Sequence, residues 1–314
     1  MSFDFTKNFL SVIIPTYNNK DFLRCCLAAL HGQTFPKECF EVIVVDNCST
    51  ENIKEVVDEF PGVTYSFEGT KSSYAARNNG IRQAKGEILV FTDSDCTPDS
   101  LWLTNGCTAL LNQEAGLAGG KIVFTFSPAM SAAEIIDSLF HMDTEAGVRR
   151  GHCQTANLFV QKAVFDTVGL FPEWMQSGGD MYWTQKATKQ GHRLIFAHDA
   201  IVYHPARAFK SLMQKYYRTG YGHVPLWVSQ GRTLREICGL TARRSVPQSP
   251  SMLRDMIKKR YPAYHMKSIF PFWLIGCICT ICGTVGRFHS LLSYSQWLRF
   301  YSHRGQEAVK NTMM

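Results

Sequence analysis

Along the first third of the chain, short β-branched runs alternate with stretches whose apolar residues recur every three or four positions. Leu10-Ser-Val-Ile-Ile14 is a near-continuous apolar run stopped by Pro15, as expected of a buried strand. From Asn19 to Leu30, Phe22, Leu23, Cys26, Leu27 and Leu30 have helical spacing. Phe40 to Val45 predicts a second strand ending at Asp46, Ile53 to Phe60 a helix, and Val63 to Phe67 a third strand. Ser73 to Lys85 predicts a helix closed by Gly86, and Ile88 to Thr92 a fourth strand. Strands alternating with helices through short links predict an α/β fold with a mostly parallel central sheet.

The next stretch is less regular. Ala118 to Phe126 and Cys153 to Val160 read as strands, with a helix near Lys162 to Val168. Ser177-Gly178-Gly179-Asp180 opens a helix over Met181 to Gln190 that Gly191 closes. Arg193 to Ala197 and Ala200 to Tyr203 are short strand candidates ending at His204-Pro205. Tyr216 to His223 is aromatic and glycine-rich and reads as a turn, and Arg243 to Pro250 as a loop. Ser268 to Gly286 is uncharged for 19 residues, near bilayer-spanning length, but Pro271, Gly276, Gly283 and Gly286 interrupt it. A membrane span, an interfacial or re-entrant element, and a buried core helix all remain open for it.

Charge divides the chain. Residues 1–205 carry 16 Lys and Arg against 23 Asp and Glu, a net of −7, whereas residues 206–314 carry 17 against 3, a net of +14. The expected organisation is therefore an acidic domain over 1–205. A basic extension over 206–314 follows, with a membrane-associating segment at 268–286. A basic tail implies an anionic partner, such as membrane phospholipid, a lipid phosphate or nucleic acid. Eleven cysteines without a regular framework, and no apolar signal core in Met1 to Asn8, predict a reducing, cytoplasmic setting. Cys277-x-Cys279-x-x-Cys282 lies in an apolar segment and reads as buried small side chains rather than a metal cluster.

In an open α/β sheet, ligands bind beyond the carboxyl ends of the strands. Three polar clusters fall there: Pro15-Thr16-Tyr17-Asn18, Asp46-Asn47 and Asp93-Ser94-Asp95. Carboxylates at i and i+2 where a strand stops can share one hard cation, which in turn can hold a diphosphate. There is no G-x-G-x-x-G after the first strand and no G-x-x-x-x-G-K-[ST] anywhere in the chain.

Ser11-Val-Ile-Ile-Pro-Thr-Tyr-Asn18, Val44-Val-Asp-Asn-Cys-Ser-Thr50, Ala75-Ala-Arg-Asn-Asn-Gly80 and Phe91-Thr-Asp-Ser-Asp95 together resemble the family 2 glycosyltransferases, with their GT-A fold. The resemblance runs in order over residues 10 to 205, and it implies a catalytic domain over 1–205 with a nucleotide-binding half at 1–100 and an acceptor half at 101–205. It implies a nucleotide-sugar donor, UDP-linked in the common case, and inversion at the anomeric carbon. Pro15, Thr16, Tyr17 and Asn18 would line the nucleotide, with Asn47 beside them, and Asp46 would meet the base. Arg77 would face the diphosphate. Asp93 would bind the base–ribose side and the metal, with Asp95 the more direct ligand and His204 a third. Asp180 would be the general base. The family's late motif commonly reads Glu-Asp; here it is Gly179-Asp180, so the base is kept and its acidic neighbour lost. Thr155 and Asn157 would lie on a strand near the donor sugar, and Trp183 would stack on an acceptor or pack in the core.

The residues permit the same chemistry. A departing nucleoside diphosphate needs a cation and an Arg, and an attacking hydroxyl needs a carboxylate base. Oxygen ligands favour Mg²⁺ or Mn²⁺ over zinc, and His204 tilts the choice toward Mn²⁺. Asp180 and Asp46 can equally serve as helix caps. The expected activity is a non-processive transfer to a lipid-linked or cell-surface glycan at the inner face of the membrane, in cell-envelope polysaccharide assembly. Processive synthases are disfavoured because Gln214 and Arg218 do not form Gln-x-x-Arg-Trp. A nucleotidyltransferase would need a basic glycine-rich loop after the first strand. A catalytically degenerate nucleotide-sugar binder is the remaining alternative, and nucleic-acid binding matches no module pattern.

Overall fold

The structure, a computed structural model, describes residues 8–299; the N-terminal segment read for a signal core lies outside them up to residue 7. In chain order the elements are β1 (Leu10–Thr16), α1 (Lys20–His31), β2 (Phe40–Asp46), α2 (Ile53–Asp58), β3 (Val63–Phe67), α3 (Ser73–Gln83), β4 (Ile88–Thr92), β5 (Thr97–Pro98), α4 (Trp102–Asn112), β6 (Leu117–Thr125), α5 (Ala132–Phe140) and α6 (Thr144–Arg149). They continue with β7 (Asn157–Gln161), α7 (Ala163–Val168), α8 (Gly179–Lys189), β8 (Leu194–Pro205), α9 (Phe209–Ser229), α10 (Leu234–Arg243), α11 (Pro250–Arg260) and α12 (Phe270–Leu292).

Two compact units result. The first holds the chain up to Thr125, Met142–Trp174 and Gly179–Pro205; the second holds Phe126–His141, Met175–Gly178 and the chain from Ala206 onward. The boundary at Pro205 coincides with the shift in charge, but two short segments of the acidic part belong with the basic one.

The first unit is built on a sheet of order β3-β2-β1-β4-β7-β6-β8-β5. β3, β2, β1 and β4 pair in parallel, as the alternating pattern predicts. β7 runs antiparallel to both β4 and β6, so the sheet is mixed beyond β4. The continuous apolar runs are explained by burial on both faces: Val12, Ile14, Val44 and Val90 are fully enclosed. The two short strands expected near the end of this unit are one strand, β8, whose irregular pairing with β6 lies between Gly120 and Lys121. Gly86 does not cap α3, which ends on Ala84 in extended conformation. Gly86 is required instead because a Cβ there would run into the β1 backbone at Leu10 and Ser11.

Register places the polar clusters. Thr16 pairs with Asp46 and Asp46 with Phe67, which aligns the carboxyl ends of β1, β2 and β3. Thr92 is paired with Asn157, so the antiparallel β7 begins at the edge where β4 ends. The two-residue β5 pairs Thr97 with Tyr203, which ties the Asp93–Cys96 loop to the end of β8.

The second unit is helical. Its core joins Ile135 and Ile136 of α5, Leu212 of α9, Leu253 and Ile257 of α11, and Phe272 and Cys279 of α12. The segment Tyr216–His223 is not a turn but the middle of α9. Its glycines serve packing: a Cβ on Gly220 would overlap the Gly283 carbonyl of α12, and one on Gly286 would overlap the Tyr217 carbonyl. Buried in this unit, Asp137 is approached by His141 Nδ1 at 2.8 Å, Lys215 Nζ at 3.2 Å and Arg207 Nη1 at 3.5 Å.

Candidate active site

The ends of β1 and β2 are cross-braced by short polar side chains. Asn18 has a left-handed φ of 47°, a conformation that Asn tolerates. Its Oδ1 accepts from Thr50 N at 2.7 Å, and its own N–H donates to Ser49 Oγ at 2.9 Å. Asp46 accepts from Ser49 N at 3.0 Å and from the Tyr65 hydroxyl at 3.1 Å, one bond to each carboxylate oxygen. Asn47 donates from its backbone to Thr16 O at 2.9 Å and from its side chain to Thr70 O at 2.6 Å. Thr16, Asp46 and Asn47 are buried, while Tyr17 is exposed at the rim and Pro15 lies within β1.

The Asp93–Asp95 loop is linked to this end by Asn19, whose amide donates to Ser94 Oγ at 3.0 Å. Its two carboxylates have separate partners. Asp93 Oδ1 meets Arg77 Nη2 at 2.5 Å, and the guanidinium also donates to Ser73 O at 3.2 Å. Arg77 is only 4% exposed, so α3 projects it inward from the sheet's carboxyl edge.

Asp95 Oδ2 instead lies 3.5 Å from His204 Nε2. His204 is fully buried, and its Nδ1 stands 2.7 Å from the Pro205 carbonyl. A carbonyl oxygen only accepts, so Nδ1 donates to it and Nε2 is the ring atom turned toward Asp95. An imidazole nitrogen and a carboxylate oxygen this close are donor types that a divalent cation takes. Cys96 Sγ lies near the same point, the three donor atoms falling within 4.8 Å of one another. Burial, then the charges of Asp95 and Asp93, push the Cys96 thiol well above its ordinary range.

Asp180 opens α8. Its Oδ1 accepts from the Tyr74 hydroxyl at 3.3 Å and its Oδ2 from Thr155 N at 3.3 Å. Tyr74 also accepts from Gly179 N at 2.8 Å, and a Cβ on Gly179 would press on the Tyr74 ring, which accounts for a glycine where the usual motif has an acid. Burial first, and then the Asp180 charge, hold the Tyr74 phenol above its ordinary range, so it remains a donor. The same ring lies 5.8 Å from the Arg77 guanidinium carbon. Tyr74 and Arg77, three residues apart on α3, therefore connect Asp180 to Asp93.

Tyr74 was missed from the sequence, although its i, i+3 spacing from Arg77 was the signal. Thr155 lies on a turn before β7 rather than on a strand, and it reaches the site through its backbone N–H. Asn157 is a correction. Its amide donates to Lys121 O at 3.0 Å and Ala200 O at 2.9 Å and accepts from Trp102 Nε1 at 2.9 Å, and it is fully buried. It is thus a core residue that locks β6, β7 and β8 together and is closed off from a sugar. Trp183 packs in the core, stacked on Phe165 at 4.4 Å between ring centroids.

Residues 11–150 match the profile of Glycosyl transferase family 2. The chain is 36% identical over 296 residues to the glycosyltransferase AglE of Haloferax volcanii, covering 91% of this chain and 97% of that one. The chain belongs to the family 2 glycosyltransferases. Its fold is similar to that of the mannosyltransferase PcManGT from Pyrobaculum calidifontis in complex with GDP-Man and Mn²⁺. That match has a TM-score of 0.60 and 19% identity, over 90% of this chain and 87% of that one. It is also similar to Staphylococcus aureus TarS 1–349 in complex with UDP-GlcNAc, with a TM-score of 0.53 and 20% identity over 92% of each chain. As a GT-A glycosyltransferase, the protein presents its polar clusters at the carboxyl ends of β1, β2 and β4, the side on which open α/β sheets bind ligands.

Proposed function

We propose that this glycosyltransferase moves a sugar, with inversion, from a UDP-linked donor to a hydroxyl of a lipid-linked or cell-surface glycan at the cytoplasmic face of the membrane. The observation that carries the reading is the seat of Asp180, whose two oxygens are oriented by Tyr74 and by the Thr155 N–H. The acceptor O–H attacks the anomeric carbon, its proton passes to the Asp180 carboxylate, and the bond from that carbon to the diphosphate oxygen breaks. Arg77 supplies positive charge beside Asp93, and Asp46, Asn47 and Pro15 to Asn18 form the nucleotide end.

Asp95 and His204, with Asp93 beside them, would hold a divalent cation, Mn²⁺ or Mg²⁺, and a nitrogen donor favours Mn²⁺. Bound there, the cation would neutralise charge on the departing diphosphate. The UDP form of the donor rests on Asp46, which the family directs to a base, and on the UDP-GlcNAc held by TarS. GDP-Man in the Pyrobaculum enzyme makes GDP-sugars the competitors to test.

The test is radiolabelled transfer to membrane acceptors with UDP-, GDP- and dTDP-sugars. Asp180→Asn should lower transfer by about a hundredfold or more while UDP still protects the variant from heat. Full transfer by that variant would remove Asp180 as the base.

A further inference from the structure

The uncharged run seen in the sequence becomes α12, which is long and apolar enough to cross a bilayer. Its side chains are sharply sorted. Phe272, Cys279, Gly283, Gly286 and Ser290 are buried, whereas Phe270, Leu274, Ile281, Val285, Phe288 and Leu292 are exposed. The exposed set recurs at intervals of three, four and seven residues, so it forms one stripe along the outer side, about 33 Å long at 1.5 Å per residue.

The inner side is fastened to polar helices. α9 and α12 touch backbone to backbone at Gly220 and Gly283, and again at Tyr217 and Gly286. The Tyr217 hydroxyl is bonded to His289 Nδ1, and buried Arg287 donates to Arg244 O at 2.9 Å. α9 meanwhile exposes Lys210, Gln214 and Arg218. Crossing a membrane would draw these groups into hydrocarbon, where charge is strongly disfavoured.

Immediately before α12 lies an open groove of about 740 Å³ lined by Arg254, Lys258, His265 and Lys267 together with apolar Ile257, Pro262 and Ile269. The one acidic residue of α11, Asp255, does not line it.

We propose that α12 lies in the plane of an anionic membrane surface, with the Phe270–Leu292 stripe in the acyl boundary and the Arg254–Lys258–Lys267 groove on lipid phosphates. This deepens the membrane placement in the proposed function and chooses against a span. An amphipathic helix held flat by an apolar face and basic neighbours is a physically sufficient anchor.

The test uses the full chain with vesicles of phosphatidylcholine alone or mixed with phosphatidylglycerol. Binding should require phosphatidylglycerol, be released by alkaline carbonate, and weaken by about tenfold or more in K258E/K267E. I281D/F288D should also lose binding. In cells, tags at the two termini should be reached from the same side of the membrane. Tags on opposite sides, or resistance to carbonate, would establish a span and overturn the proposal. Equal binding to neutral vesicles, or a stripe variant that only converts a dimer to a monomer, would overturn it too. UDP protection of the same variants from heat separates this failure from failure of the catalytic reading.

Discussion

Arg77 Nη2 and Asp93 Oδ1 meet at 2.5 Å, joining α3 to the loop that follows β4. This pairing divides the two carboxylates of the D-x-D sequence. Asp93 is balanced by a buried guanidinium, and Asp95 is left toward His204. Arg77→Ala should therefore cost about 1–3 kcal/mol of stability, since Asp93 loses its partner while keeping some contact with water. It should also weaken donor binding. Arg77→Lys keeps the charge but loses the fork that reaches both Ser73 O and Asp93, so it should restore only part of either loss. Thermal denaturation and a UDP titration check both.

Tyr74→Phe removes one hydrogen bond from Asp180 and the acceptor for Gly179 N–H. Transfer kcat should fall about tenfold through misplacement of the carboxylate, with the donor KM unchanged. A change confined to KM would show that Tyr74 serves donor binding instead.

Chelation of divalent ions should abolish transfer, and added Mn²⁺ should restore it. His204→Ala should raise the Mn²⁺ needed for half-maximal rate at least about tenfold. Transfer that persists in chelator would exclude the Asp95–His204 pair as a cation site.

Asp137 is the ionic centre of the second unit. Burial opposes its charge, but the His141 hydrogen bond and the Lys215 and Arg207 charges outweigh burial and hold it well below the carboxylate range. Burial, then Arg207, push Lys215 down to about 7. Asp137→Ala strands these cations and should cost about 3–5 kcal/mol in chemical denaturation. A loss below 1 kcal/mol, on the same scale, would mean the cluster relaxes to water.

His223 on α9 stacks on Trp227 at 5.3 Å between centroids, and burial, then Arg244 and Arg287, push its imidazole from 6.5 down to about 3. Between those values the unfolded chain binds the extra proton, so stability is full above pH 6.5 and falls as pH drops toward 3. The slope should be about 1 kcal/mol per pH unit. His223→Phe should flatten it, and an identical acid limb in the variant would count against the assignment.

Much of the first unit was legible locally. β3 runs Val63–Phe67 as the β-branched run predicts, and each polar cluster sits where its strand stops. The second unit was harder to read. Gly220 and Gly222 look like turn residues in one dimension, yet they lie inside α9 because close packing against other chain segments needs their missing side chains. Asn157 shares a short stretch with Thr155 and so looks like a donor contact, and only its three core hydrogen bonds show otherwise.

By itself, the sequence determined the alternation of strands and helices, the order of the four motifs, and the opposite charges of the two parts. These depend on spacing and composition, which are local. The tertiary structure alone decided that Arg77 takes Asp93, that the Thr97–Tyr203 pairing brings Asp95 to His204, and that Tyr74 reaches Asp180. Those contacts join residues up to 109 positions apart, and strand register and helix packing, rather than spacing along the chain, set which side chains meet.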